Sequence, residues 1–152
     1  MKTIILILAS SFMLFSCKKE QKNAMGTTTP VAVTPVVISQ GILGCTYCTS
    51  QPNAFVVTNT TNWDTVMTNL ANNGNATFTE TIIDFNDYML LAIFDKGRPT
   101  GGYSVSVTSV TENINQIVVN VAYTGTGDAT QMPTCPYIIV KIPKSNKPVV
   151  FQ

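Results

Sequence analysis

Apolar residues along this chain follow several distinct patterns, and each pattern predicts a different element. Trp63, Val66, Met67, Leu70 and Ala71 recur at three- and four-residue steps, the stripe of an amphipathic helix packed on a core. Asn62 is placed to cap that helix, Asp64 to sit in its first turn and Gly74 just beyond its end. Met89 to Phe94 is nearly continuously apolar, as in a central strand buried on both faces. Tyr103, Val105 and Val107, then Ile117, Val119, Val121 and Tyr123, alternate with other residues as half-buried strands do, with Tyr103 pointing inward. Glu112-Asn113-Ile114-Asn115 between them predicts a hairpin.

Shorter runs complete the set. Val36 to Ser39 and Ala54 to Thr58 read as strands, Tyr137 to Ile142 as a late strand ended by Pro143, and Val149-Val150-Phe151 as an edge. One helix among six or seven strands, with no strand–helix–strand alternation, predicts an α+β fold. The expected form is a curved antiparallel β-sheet with one short helix packed on a face, spanning residues 36–152.

The N-terminus follows different rules. Lys2 precedes an apolar block from Ile4 to Phe15, 12 residues long. That length suits a signal-peptide core and is short of the ~20 residues of a membrane-spanning helix. Leu14-Phe15-Ser16-Cys17 closes the block and resembles a bacterial lipobox, with Phe15 standing where a small residue is usual. The resemblance implies a signal peptide over residues 1–16, with cleavage before Cys17. It further implies lipidation of Cys17 by long acyl chains such as palmitate, and more than one chain gives stable anchoring. Residues 17–35, charged at first and then rich in Thr and Pro, have no helical or strand period and read as a tether.

Composition narrows the chemistry. Without Lys2, eight basic residues balance eight acidic ones, so no charged face points to nucleic acid. The chain has no histidine, which removes Ser-His-Asp and Cys-His catalysis and every zinc site built on imidazole. Asp84, Asp87 and Asp95 flank the central strand, but Asp84-Phe85-Asn86-Asp87 lacks the Gly and distal Glu of an EF-hand. Asp84 reads instead as a turn residue ahead of Met89.

Three cysteines remain beyond Cys17. Cys45-Thr46-Tyr47-Cys48 is a CxxC, and Cys135 lies far along the chain. No helical period follows the CxxC, where a thioredoxin-like motif opens a helix, and three ligands fall short of the four of a structural zinc. In an exported domain the leading reading is a structural disulfide among Cys45, Cys48 and Cys135, with either partner open. Free thiols, a redox dithiol and a metal site are the alternatives.

The most demanding stretch is Lys96-Gly97-Arg98-Pro99-Thr100-Gly101-Gly102-Tyr103, a charged, Gly- and Pro-rich knot between two core strands. Pro99 fixes one φ angle, and Gly101 and Gly102 allow positive φ, so a sharp reversal is expected. A phosphate-binding loop would lead into a helix, whereas here a strand follows. Arg98 is available to a carboxylate or a partner surface but reads as a solvated turn residue whose removal leaves stability nearly unchanged.

Taken in order, Trp63, Asp84-Phe85, the apolar strand, Pro99-Thr100-Gly101-Gly102-Tyr103 and Pro136-Tyr137-Ile138-Ile139 resemble the PrcB family over roughly residues 54–143. That family is named for an accessory subunit of a secreted bacterial protease complex. The resemblance implies a non-catalytic, extracytoplasmic domain that associates with other proteins, with Arg98 to Tyr103 as the candidate interaction turn. The expectation is therefore a lipid-anchored envelope protein, at the outer membrane, with an unidentified protein partner and no cofactor. Two readings from other classes stand beside it: a CxxC thiol-disulfide protein, and a small-ligand or glycan binder using the Arg98–Tyr103 turn.

Overall fold

Two strands, Tyr88–Phe94 and Thr134–Pro143, are apolar almost without interruption, and the structure buries both faces of each. In the computed structural model, which describes residues 29–44, 48–74 and 76–152, these strands form the middle of a three-layer arrangement. The elements in chain order are β1 (Val31–Val33), β2 (Val36–Gly44), β3 (Asn53–Val57), α1 (Thr60–Asn73), β4 (Tyr88–Phe94), β5 (Ser104–Glu112), β6 (Ile117–Thr124), β7 (Thr134–Pro143) and β8 (Val149–Phe151). They form two four-stranded sheets, ordered β1-β5-β6-β8 and β2-β7-β4-β3.

Period two in β4 and β7 sorts their side chains between the layers. Leu90, Ala92, Tyr137 and Ile139 face α1 and pack with Trp63, Val66 and Leu70. Met89, Leu91, Ile93, Ile138, Val140 and Ile142 face the other sheet and pack with Val105, Val110, Ile117 and Val119. A continuous apolar run is therefore two alternating patterns superposed. The strands β5 and β6 have a single apolar face, so they lie on the outside of the sandwich.

The fold is α+β, with mostly antiparallel strands and one short helix on a sheet face. The expected curved sheet divides into two, because alternation marks which faces are buried without saying which strands share a sheet. Every pairing is antiparallel except β6 with β8. The β5–β6 hairpin forms as expected, closed by Asn113 N donating to Gln116 O at 2.8 Å. A register shift between Val107 and Ser109 moves the inward positions of β5 from Val105 to Val110.

Two boundaries differ from the expectation. Val31–Val33, inside the stretch read as tether, pairs with Val110–Glu112 as an edge strand; three residues held by long-range pairing leave no local period. The helix cap is Asn59, whose side chain accepts from Asn62 N at 2.9 Å, one turn ahead of the expected Asn62. Asp64 consequently lies beyond the first turn. Asp84 does turn the chain into β4, its carboxylate accepting from Asn86 N at 2.9 Å. The signal peptide and Cys17 lie outside the described residues.

Trp63 anchors the helix: it is fully buried, meets Phe78 edge-on with ring centroids 5.5 Å apart, and its Nε1 donates to Thr81 O at 2.8 Å. Leu91 at 0% exposure and Ile82 at 87% mark the two extremes of burial. Leu91→Ala is expected to lower unfolding free energy by about 2–5 kcal/mol in urea titrations. Ile82→Ala is expected to stay within ~0.5 kcal/mol. Equal effects would contradict the assignment of Leu91 to the inter-sheet core.

Candidate functional site

The chain leaves the middle sheet at Phe94 and enters the outer sheet at Ser104, so the knot between them is a crossing of the sandwich. Its first residue, Asp95, is a carboxylate at 0% exposure. A buried charge needs both a counter-charge and hydrogen bonds. Arg98 supplies the first: Nε donates to Asp95 Oδ2 at 2.6 Å and Nη2 to Oδ1 at 3.1 Å. Lys96 N adds a bond to Oδ1 at 2.8 Å. Both oxygens are thus satisfied from within four residues of the same loop.

The Arg98 side chain is only 20% exposed, and its guanidinium lies over the Tyr103 ring, 4.8 Å from the centroid. The hydrogen bond to Asp95 holds its pKa above the ordinary arginine value, so it is charged at every accessible pH. The expectation of a solvated Arg98 is corrected here, because the carboxylate it neutralises belongs to the end of a buried strand. Tyr103 is also placed differently: it is half-buried beneath Arg98 and joins neither apolar core.

Backbone pairing extends past the end of β4. Asp95 N donates to Pro136 O at 2.8 Å, and Arg98 and Thr134 exchange bonds of 2.8 and 2.9 Å. Pro136 sits opposite Asp95 and has no N–H to return the bond, and the Asp95 carbonyl takes the Cys135 thiol instead. Thr134 Oγ1 also donates to Thr100 O at 2.7 Å.

The return crossing, between β6 and β7, packs directly on the first. Gly102 adopts φ +77°, and a Cβ there would stand 2.9 Å from the carbonyl carbon of Gly127. Gly125, at φ +110°, approaches the Gly102 carbonyl so closely that a Cβ would overlap it at 2.1 Å. The two crossings are therefore clasped backbone to backbone, which only residues without a Cβ permit. Gly101 has no positive φ, and a Cβ there meets the Asp128 carboxylate, a side chain rather than backbone, which accepts from Thr130 N at 2.8 Å. The Thr124-Gly125-Thr126-Gly127-Asp128 segment escaped sequence reasoning; its two glycines two residues apart were the available signal.

The cysteines meet this clasp. Cys135 is buried, and its thiol donates to Asp95 O at 3.0 Å. Cys48 is half-buried at the same core, beside the Gly97 N bond to Thr49 O of 2.9 Å. Cys45 lies outside the described residues. Among the described residues, no disulfide joins Cys48 to Cys135.

The clasp falls inside the span of a sequence-family match. Residues 89–143 match the PrcB C-terminal family. The matched segment runs from Met89 in β4 to the last residue of β7, so it contains both crossings and, apart from Tyr88, the four strands they connect. It is shorter than the span of resemblance read from the sequence: Trp63 and α1 lie outside it. No curated protein and no solved structure matches the chain.

Arg98→Ala is expected to lower unfolding free energy by about 3–5 kcal/mol, the effect of leaving one half of a buried pair. Gly102→Val is expected to lower it by at least the ~1–3 kcal/mol of a strained backbone, and Gly101→Ala by less. Thermal melts with Arg98→Ala unchanged would show the pair to be solvated.

Tyr123 supplies a test of the electrostatics. Burial first, and the negative charge of Asp95 second, push its pKa above the ordinary tyrosine value, against an opposing pull from Arg98. The stabilisation is present below the unfolded value of ~10 and is lost as pH rises through the raised folded value. Absorbance titration should therefore show a late-ionising tyrosine that Tyr123→Phe removes and Asp95→Asn brings back toward the ordinary value.

Proposed function

We propose that this protein is a non-catalytic, lipid-anchored component of the bacterial cell envelope that acts by binding other proteins. In this reading it is an accessory or stabilising subunit of an extracytoplasmic complex, of which a protease complex is the form the family name suggests. The observation that carries the reading is the match of residues 89–143 to the PrcB C-terminal family. The leader adds to it: the apolar block ending at Leu14-Phe15-Ser16-Cys17 has the length and closing residues of a lipoprotein signal.

The chemistry of the clasp supports a binding role over a reactive one. Arg98 is held by Asp95, Thr100 by Thr134 and Asp128 by Thr130 N, so the polar groups of both crossings hold the scaffold together. The polar side chains that set the Arg98–Tyr103 turn thus hold it rigid, and the turn presents a fixed shape to a partner.

Replacing Cys17 by Ser should abolish acyl labelling and move the protein from membrane to soluble fractions. The wild-type chain, solubilised from its native envelope, should migrate with a protein partner at constant stoichiometry. Unchanged membrane retention of Cys17→Ser would overturn the anchor, and migration as the lone chain would overturn the association.

A further inference from the structure

The middle sheet has two edges, and they are treated differently. On the outer side of β2, Thr79 N donates to Ile38 O at 2.9 Å, Thr79 Oγ1 approaches Val37 O and Ile38 O at 3.1 and 3.2 Å, and Ser39 Oγ donates to Thr77 O at 2.8 Å. That edge is covered by its own chain. β3, at the opposite edge, pairs with β4 only, and among the described residues no backbone group outside β4 bonds to Asn53–Val57. Five residues in extended conformation therefore present a row of outward N–H and C=O groups. The devices that blunt such an edge, a charge, an internal proline or a bulge, are missing from Asn53-Ala54-Phe55-Val56-Val57; Pro52 precedes it.

Each face of this edge opens into a recess. On the helix side, a cleft of about 190 Å³ is lined by Leu43, Phe55, Val66, Leu70 and Phe94, with Thr49, Asn53 and Asn69 at its rim. Phe55 is 37% exposed and stacks on Phe94 with ring centroids 5.9 Å apart, and both rings line the cleft. On the other side, a second recess of about 340 Å³ lies between Ala54 of β3 and Val121, Tyr123 and Phe151 of the outer sheet. Among the described residues, neither lining includes an Asp, Glu, Lys or Arg side chain. A strand added beside β3 would send successive side chains alternately into these two recesses.

We propose that the outer edge of β3 is a strand-addition site that takes an extended, uncharged segment of a partner protein. Backbone hydrogen bonds to β3 would hold the segment, and apolar side chains on one of its faces would fill the cleft under α1. The hydrogen-bond row selects a peptide backbone, and the lack of charge on both sides selects against acidic or basic segments. The chain's own spare length does not fit. It enters the structure at β1, which two residues join to β2 at the other edge of the sandwich, and residues 18–29 are polar without apolar alternation. The partner's biological identity rests on the association reading above; the edge and its recesses do not.

The test uses the full-length chain in detergent micelles and a blocked peptide, Thr-Leu-Thr-Phe-Thr-Val-Thr, followed by hydrogen-exchange mass spectrometry. The expected result is slower exchange confined to the segment containing 53–57, at peptide concentrations up to about millimolar. Because alternate amides of an added strand face away from β3, two peptides N-methylated in alternate frames should differ in affinity by about tenfold or more. Asn53→Lys, at an exposed position on the rim, should weaken binding while leaving the melting temperature within a few degrees; Phe55→Lys should abolish it. No slowing at 53–57, equal behaviour of the two frames, or slowing that depends on protein concentration without peptide would each overturn the proposal, the last in favour of a second copy. Because purified chain and synthetic peptide suffice, this outcome is independent of whether Cys17 anchors the protein or a native complex is recovered.

Discussion

A carboxylate removed from water must be neutralised, and at Asp95 the neutralising group is an arginine three residues further along the same loop. Everything about the crossing follows from that proximity. The loop has to fold back on itself so that Arg98 reaches Asp95, and this brings Arg98 into backbone pairing with Thr134 at the start of β7. The reversal then carries the chain over Tyr103 into the outer sheet, through a glycine at positive φ. A second crossing with glycines of its own lies against the first, and the thiol of Cys135 closes the interior on the Asp95 carbonyl. The ion pair does not have to add net stability over an apolar pair to matter: with one partner present, the other is obligatory.

Within the matched segment, residues 89–143, the polar groups of the two crossings serve the structure itself. The residues that look chemically active in one dimension, Asp95, Arg98, Thr100 and Tyr103, are bonded to one another or to the neighbouring crossing. Among the described residues, β3 pairs with β4 alone and borders an apolar cleft. The helix α1, outside the family match, contributes Val66 and Leu70 to that cleft, so the two parts of the domain meet there.

Much of the fold was legible from period alone. The doubly buried strand Met89 to Phe94, the β5–β6 hairpin, the helix stripe led by Trp63 and the turn at Asp84 all rest on local patterns that the structure realises. What local pattern cannot carry is long-range pairing. β1 is three residues whose only reason to be extended is the partner at Val110–Glu112, and the division into two sheets depends on which strands meet. The Arg98 misreading has the same origin. An arginine in a Gly- and Pro-rich loop looks solvated until the end of the preceding strand is seen to be buried, and Asp95 directly after an unbroken apolar run was the signal. Asn59 as helix cap went unrecognised because Asn62 competes for the role with identical chemistry.

The coupling between Asp95 and Arg98 is the quantity on which this picture turns, and a double-mutant cycle measures it directly. Asp95→Asn, Arg98→Gln and the double variant remove the charges with little change in shape, and urea unfolding gives the three free-energy changes. If the buried pair organises the crossing, the double variant should be markedly more stable than the sum of the singles requires, by about 1–3 kcal/mol. Additivity within ~0.5 kcal/mol would show the two groups to act independently and would contradict the clasp as the element that sets the fold.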